Sequence, residues 1–228
     1  HTNHHTHTWH VGKDSQMPFD TPMDLRGWVA EITGFALLRF HVMAFLQLAT
    51  RHYTDTIRMV APDSELPKMT RNARIMLAIY ALIAAAPFVG IWWPVWFFVL
   101  PRILGAPVML LFTLIQHVEL QENSPSILES TRSFRTTWLG RFLYMNMNNH
   151  IEHHLYPQVP FHALPVLAEA IEDQLPQPDP GFLRTNYEVI YVTARRSLGL
   201  STKAPSIRQA PHMITDGGPV RRIAERSM

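Results

Sequence analysis

A long apolar stretch in the middle of the chain restricts the fold more than any other feature. Residues 75–101 contain no Asp, Glu, Lys or Arg, and after Arg102 residues 103–118 contain none either. A membrane-spanning helix needs about 20 apolar residues, so the stretch fits two spans, near 75–91 and 102–118. The tryptophans and prolines between them are typical of a membrane interface. The sequence therefore predicts an all-α integral membrane protein with a transmembrane helical hairpin.

Positive charge on both flanks predicts the orientation of this hairpin. The residues before the first span are Lys68, Arg71 and Arg74, and those after the second are Arg132, Arg135 and Arg141. Because basic residues favour the cytoplasmic side, both ends should lie there, and two crossings return the chain to the side it left. Residues 28–50 are apolar but include Glu31, Arg39 and His41. They predict a helix that lies in the membrane interface or packs on the functional site.

Histidine occurs in a pattern, H-x-x-H-H, that is written twice. The first copy is His1, His4 and His5, and the second is His150, His153 and His154. Helix positions i, i+3 and i+4 share one face, so each copy presents three imidazoles together, and neutral imidazoles in such numbers make sense as metal ligands. Six ring nitrogens exceed the four ligands of a closed zinc site and favour a dinuclear site. Imidazole suits iron, zinc, copper and nickel, so the metal stays open at this point.

Further site residues follow from their position near these histidines. His117 closes the second apolar span, where an ionisable residue is a functional candidate. We predict it as a seventh ligand, the alternative being an interfacial histidine with one hydrogen bond. Glu119 and Glu152 could accept the second ring N–H of a ligand histidine, and Asn149 could hold a water near the metal. Solvated or capping roles remain open for these three.

Composition and missing motifs exclude several classes of protein. The chain has no cysteine, which excludes disulfides and thiolate metal sites. The net charge of +2 does not suggest a nucleic-acid partner. The zinc-peptidase pattern H-E-x-x-H is absent, as are G-x-S-x-G, the P-loop and the dinucleotide fingerprint.

Together these features resemble the membrane-bound fatty acid desaturase and hydroxylase superfamily. The resemblance rests on H-x-x-H-H at residues 1–5, the hairpin, the histidine after "LIQ", and "NHIEHHLYPQVPFHALP" at 149–165, in matching order and spacing. It covers residues 1–175, which we expect to form the C-terminal part of a membrane desaturase domain, with the hairpin at about 75–118. We expect residues 176–228 to be a cytosolic C-terminal extension, partly disordered, with poor order beyond about residue 200.

The resemblance implies a non-haem di-iron centre on the cytoplasmic membrane face, with two iron ions (Fe2+/Fe3+) and O2 as co-substrate. His1, His4 and His5 match the second histidine box of the family, and His150, His153 and His154 match the third. His117 resembles an additional ligand found in several branches, and no catalytic residues are implied beyond the metal ligands. The implied partners are a lipid or fatty acyl substrate and an external electron donor, either ferredoxin or cytochrome b5 with its reductase.

One departure from the family pattern concerns the first histidine box. In the family this box, H-x(3,4)-H, follows an earlier membrane hairpin, and neither precedes the first H-x-x-H-H copy in this sequence, so we expect an N-terminally truncated chain whose missing part supplies at least two ligands. On that expectation the 228-residue chain alone is inactive and binds iron poorly.

Three functions are compatible with the sequence. The leading one is a fatty acid (acyl-lipid) desaturase, a non-haem di-iron oxidoreductase of lipid metabolism. A hydroxylase or ketolase of carotenoids or another hydrophobic substrate could use the same scaffold. A non-enzymatic membrane metal-binding or transport protein is the remote alternative, and it predicts bound zinc without O2 consumption.

Overall fold

The computed structural model describes residues 1–17 and 21–214, and its regular structure is helical. The described residues form eleven α-helices and no strand, apart from one isolated bridge between Phe134 and Asp179. The helices are α1 Thr2–Thr6, α2 Leu25–Ile32, α3 Phe35–Ala49, α4 Asp55–Val60, α5 Leu66–Ala85, α6 Leu100–Leu114, α7 Ile127–Ser130, α8 Trp138–Leu143, α9 His150–Leu155, α10 Leu164–Ala170 and α11 Phe182–Ser197. Short 3₁₀ turns lie at Asp63–Glu65, Ala86–Val89, Glu172–Gln174 and Pro211–Met213, and a π-helical turn at Val95–Val99.

The chain divides into two compact units. One contains residues His1–Val29 together with Leu111–Met228, and the other contains Ala30–Leu110. All seven histidines predicted as metal ligands belong to the first unit, which we call the histidine unit. The apolar helices make up most of the second, the hairpin unit.

Two helical segments of the hairpin region are long and apolar enough to cross a membrane. Asp63–Val89 has 27 residues and Val95–Leu114 has 20. Large apolar side chains along them are open to solvent, with Leu82 71%, Phe88 90% and Phe97 73% exposed. Such a surface is unfavourable in water and suits lipid. The predicted all-α membrane fold with two spans is therefore confirmed.

The bounds of the spans differ from those expected. The first helix begins well before the apolar run. Its opening turns carry the basic residues Lys68, Arg71 and Arg74, which are all exposed. The second ends at Leu114 and the chain then turns, so His117 lies beyond the helix. Gly90, with φ of 80°, closes the turn after the first span in a left-handed conformation that favours glycine.

The helix expected at residues 28–50 is two helices. Gly34 breaks it, with φ of 73°. α3 then packs along α5, where Arg74 Nε donates to the carbonyl of Ala49 at 2.9 Å and the rings of Phe45 and Tyr80 are 6.0 Å apart. One side of α3 therefore packs on α5, while Leu38, Val42 and Met43 remain exposed.

The core of the histidine unit is built around the last turn of α6 and the residues that follow it. Phe112 stacks on Tyr144 and on Phe182, with ring centroids 4.5 Å and 4.1 Å apart. Val189 and Val192 of α11 are buried in the same cluster. Burying each such side chain contributes about 1.5–3 kcal/mol, so α11 is part of the scaffold that supports the site.

The chain after α11 is packed up to residue 214. Ala204, Ile207, Ala210 and Met213 are buried, so the poor order expected beyond about residue 200 is not found at 201–214. The Ser- and Pro-rich composition suggested disorder, but an apolar side chain at every third position gives this segment one face to bury. The same expectation for residues 215–228 lies outside the described residues.

Candidate metal centre

The two H-x-x-H-H copies lie on two short helices that meet. α1 carries the first copy and α9 the second, and neither is long enough to be stable alone. The ring of His5 lies 4.4 Å from that of His154 and 4.7 Å from that of His153, between centroids. Tertiary packing therefore brings together residues almost 150 positions apart.

Four buried histidines form the first of two ring clusters. One ring nitrogen from each lies within 4.8 Å of the others. Nε2 of His150 is 3.1 Å from Nε2 of His117 and 3.1 Å from Nε2 of His154. We call this cluster, which His4 completes, the four-histidine group.

The second cluster consists of three histidines that are less buried than the first four. Ligand nitrogens of His1, His5 and His153 again lie within 4.8 Å of one another. Nε2 of His1 is 2.9 Å from Nε2 of His5 and 3.5 Å from Nε2 of His153. We call it the three-histidine group, and it adjoins the first because the rings of His5 and His154 touch.

Each helix divides its three rings between the two groups. α1 gives the pair His1 and His5 to the three-histidine group and the single His4 to the other. α9 does the reverse, giving the pair His150 and His154 to the four-histidine group and the single His153 to the other. Around the helix axis, residues i and i+4 are closer to each other than either is to residue i+3. Three rings on one broad helical face can therefore divide into a pair and a single ring that belong to two different groups.

Asp14 fixes the ring of His4. Its carboxylate accepts a 2.8 Å hydrogen bond from Nδ1 of His4 and also bonds to the backbone N–H groups of Trp9 and Gln16. Burial would raise the pKa of Asp14, but the hydrogen bond and charge of His4 and these backbone donors hold it below its ordinary value. The ionised carboxylate keeps the proton on Nδ1 and leaves the other ring nitrogen with a free lone pair.

Two more rings are fixed in the same tautomer. Nδ1 of His117 lies 2.8 Å from the carbonyl oxygen of Ser130, which can only accept, so this nitrogen carries the proton. The hydroxyl of Thr8 already donates to the carbonyl of His4 at 2.8 Å. It therefore accepts from Nδ1 of His154 at 3.1 Å. Nε2 is unprotonated in both rings.

These tautomers make the four-histidine group suitable for a cation. Three lone pairs converge with the ring of His150, which can offer at most one N–H from its Nε2. At least two acceptors are then left without a donor inside a buried cluster, which costs free energy. A metal ion would bind all of these nitrogen lone pairs at once, so the set of ring nitrogens fits a metal.

Burial also keeps the rings neutral. It lowers the pKa of His117 to about 3 and, with the neighbouring histidines, lowers the pKa of His150 and of His154 well below the usual range. In the three-histidine group, burial and then His153 lower the pKa of His5 to about 4. Neutral imidazole is the form that binds metal.

Comparison with known proteins agrees with this geometry. A family model described as fatty acid desaturase matches residues 1–185. The chain belongs to the fatty acid desaturase family. No curated protein and no solved structure matched it. Membership in the desaturase family indicates an oxidoreductase in a membrane and lipid setting.

The two glutamates expected to bond to the histidine rings have other partners in the structure. In the described hydrogen bonds, neither Glu119 nor Glu152 meets a histidine ring. Glu119 is held by Arg196 through two bonds of 2.7 Å and 2.6 Å, and Glu152 accepts from Ser133 at 2.6 Å. Glu152 sits two positions from His150 on α9, a spacing that turns it away from the ring face.

Asn149 is placed at the start of α9. It stands at the N-cap position without a side-chain capping bond, and its Oδ1 accepts from the amide of Asn148 at 3.2 Å. It thus contacts no ring nitrogen among the described hydrogen bonds. A role in holding water stays a prediction.

The residues that do fix the rings were not predicted from the sequence. Asp14 lies in a Gly- and Pro-rich segment that indicates only a loop, and Thr8 lies between the first histidine copy and that loop. Ser130 acts through its backbone carbonyl, which leaves no signature in the side-chain sequence. The one available signal was a carboxylate ten residues after His4, which is weak without the fold.

Proposed function

We propose that the chain forms the metal centre of an O2-dependent fatty acyl (acyl-lipid) desaturase that holds two iron ions. The observation that carries the proposal is the convergence of unprotonated imidazole nitrogens in the four-histidine group, beside a second group of three. His4, His117, His150 and His154 would hold one ion. His1, His5 and His153 would hold the other.

Iron fits the chemistry that the family requires. When bound, it supplies the redox activation of O2 that breaks an alkyl C–H bond, which side chains cannot supply and redox-inert zinc cannot replace. The purely imidazole donor set, in a chain without cysteine, suits iron.

The reaction balances with an external source of electrons. A –CH2–CH2– segment of the acyl chain loses two hydrogens and becomes –CH=CH–, while O2 takes up these hydrogens, two electrons and two protons to give two waters. Ferredoxin, or cytochrome b5 with its reductase, would supply the electrons.

The residues of this chain hold the ligands in place and keep the site dry. Asp14, Ser130 and Thr8 fix three rings in the Nδ1–H tautomer, so that Nε2 faces the metal. Burial of the four-histidine group limits the access of water, which protects a strongly oxidising site from side reactions.

We propose further that the site lies on the cytoplasmic face of the membrane. The support is the exposed basic cluster at the start of the first span, Lys68, Arg71 and Arg74. On the other flank Arg135 and Arg141 are exposed, while Arg132 is fully buried and serves the fold.

Lipid analysis tests the proposal. Cells that express the gene encoding this chain should gain acyl chains with a new double bond, under aerobic conditions only. His154→Ala should lose the product, while His162→Ala, at an exposed histidine outside both groups, should retain it. Hydroxylated or oxo products would favour a hydroxylase or ketolase instead, and unchanged product in His154→Ala would remove the ligand assignment.

A further inference from the structure

We propose that residues 186–214, which follow the part of the chain matched by the family, position His117 for metal binding. We call them the C-terminal clamp, and we name Arg196 and Arg208 as the positioning residues. The proposal rests on the proposed function, because His117 is a ligand only if the four-histidine group holds a metal.

The clamp acts on the segment that carries His117. This segment, residues 115–132, contains both His117 and Ser130, the residue whose carbonyl fixes the His117 ring. Its only α-helix is α7, a single turn. With so little regular structure of its own, the segment takes its geometry from what packs against it.

The first contact of the clamp is a buried ion pair. Arg196 of α11 binds Glu119 with both terminal nitrogens, at 2.7 Å and 2.6 Å, and their side chains are only 3% and 1% exposed. Glu119 lies two residues after His117 and has a left-handed φ of 67°. Two planar forks held face to face fix position and direction together, so the pair anchors the backbone beside the ligand.

Two further bonds from the clamp reach Glu119. The amide of Gln209 donates to its Oε2 at 3.2 Å, and the backbone N–H of Ala210 donates to its carbonyl at 2.9 Å. Glu119 is thus held by its side chain and its main chain, both from the clamp.

Arg208 makes the second contact, at the other end of the segment. Its guanidinium donates to the carbonyl oxygens of Leu128 and Thr131, one on each side of Ser130. The carbonyl of Arg208 in turn accepts from the buried Arg132 at 2.9 Å, and Arg132 also donates to the carbonyl of Val118 at 3.0 Å. Arg208 therefore fixes the peptide that orients the His117 ring.

The contacts made by Arg196 and Arg208 together fix the position and the ring orientation of His117. Its Cα is set by the Glu119 anchor and its ring by the Ser130 carbonyl, and both depend on residues beyond the family match. Loss of a group bonded directly to a ligand weakens metal binding about 10–100-fold, and the clamp residues act one bond further out, so their loss should cost less. The clamp contains no ligand, and its bonds reach the segment on both sides of His117, so we assign its effect to His117.

Substitution of Arg208 is easier to interpret than substitution of Arg196, which would leave the buried carboxylate of Glu119 without its partner ion. Arg208→Met removes two bonds to backbone carbonyls and leaves no such carboxylate unpaired. Cobalt(II) titration of the full chain in detergent, followed by visible absorption, should show binding up to about 10-fold weaker than wild type, the lower end of the range for direct partners of a ligand, with an altered ligand-field band. Arg208→Lys, which can still donate to one carbonyl, should recover part of the affinity.

Arg195→Met is the matched control. Arg195 belongs to the clamp and, like Arg208, donates from its guanidinium to a backbone carbonyl, that of Ser201, but its described bonds do not reach residues 115–132. This variant should bind cobalt as the wild type does. Wild-type affinity and spectrum in Arg208→Met would overturn the proposal, and so would an equal loss in Arg195→Met.

Amide hydrogen exchange on the metal-free chain separates this proposal from the metal proposal. Exchange across residues 115–132 should be faster in Arg208→Met than in Arg195→Met. If the wild type binds no cobalt, the proposed function fails and this exchange pattern decides whether the clamp holds the segment. Equal protection in the two variants would then overturn the clamp.

Discussion

The carboxylate of Asp14 and the ring of His4 are joined by a 2.8 Å hydrogen bond, with both side chains buried. They lie ten positions apart, and the same carboxylate accepts from the backbone N–H of Trp9, which lies between them, and from that of Gln16, two residues beyond Asp14. A loop that folds back on the first histidine copy thus fixes the ring that α1 gives to the four-histidine group.

Asp14→Asn should weaken metal binding to the four-histidine group about 10–100-fold. The amide can still accept from Nδ1 of His4, but it lacks the negative charge that makes the ring a strong donor to metal. Isothermal titration with cobalt(II) measures the change. Asp24→Asn is the control, since Asp24 is exposed and, among the described hydrogen bonds, its side chain accepts from the backbone N–H of Gly27. Equal affinity in both variants would exclude the role given to Asp14.

The two groups should fill in order. The four-histidine group has more ligands and is buried, so the first cobalt equivalent should bind there. His154→Ala should abolish this first event, whereas His153→Ala should keep it and lose only weaker binding. Stoichiometry by elemental analysis and the ligand-field spectrum distinguish the cases. Identical behaviour of the two variants would mean that the rings form one site.

The metal-free chain should lose stability as the pH falls below about 6.5. The unfolded chain protonates His117 near its ordinary pKa of 6.5, whereas the folded chain resists until about pH 3 because the ring is buried. Between these values the unfolded state binds more protons, so the free energy of unfolding falls by about 1.4 kcal/mol per pH unit for this histidine.

Thermal unfolding in detergent at a series of pH values checks this expectation. His117→Gln should reduce the slope between about pH 6.5 and 5 by up to about 1.4 kcal/mol per pH unit, in a window above the ordinary titration of carboxylates, while the other buried histidines keep the remainder. His162→Gln, at an exposed ring, should leave it unchanged. The same slope in wild type and His117→Gln would show that His117 does not carry the effect.

The orientation of the hairpin can be read with single cysteines, because the chain has none of its own. Lys203→Cys, on the exposed surface of the histidine unit, should react with a membrane-impermeant thiol reagent only in inside-out vesicles. Trp93→Cys, exposed between the two spans, should react only from the opposite side. Labelling of both from one side would contradict a hairpin that crosses the membrane twice.

The helical membrane fold, and the seven histidines that the structure brings together, could be predicted from the sequence because both appear in it as local patterns. The charge-free run from residue 75 allows little except helices in lipid, and two copies of H-x-x-H-H with His117 point to a shared centre. The division of each copy between two groups was not predictable, because it depends on the angle at which α1 meets α9. Glu119 was assigned to the wrong partner for a similar reason, since Arg196 reaches it only through the packing of α11.

X-ray absorption at the iron edge tests the central claim most directly. The sample is the protein as its complete gene encodes it, loaded with iron(II) without oxygen, as wild type and as His154→Ala. We predict bound iron with a first shell of imidazole nitrogens in the wild type, and loss of iron from the four-histidine group in the variant. Absence of iron, preference for zinc over iron, or an iron shell unchanged by His154→Ala would contradict it.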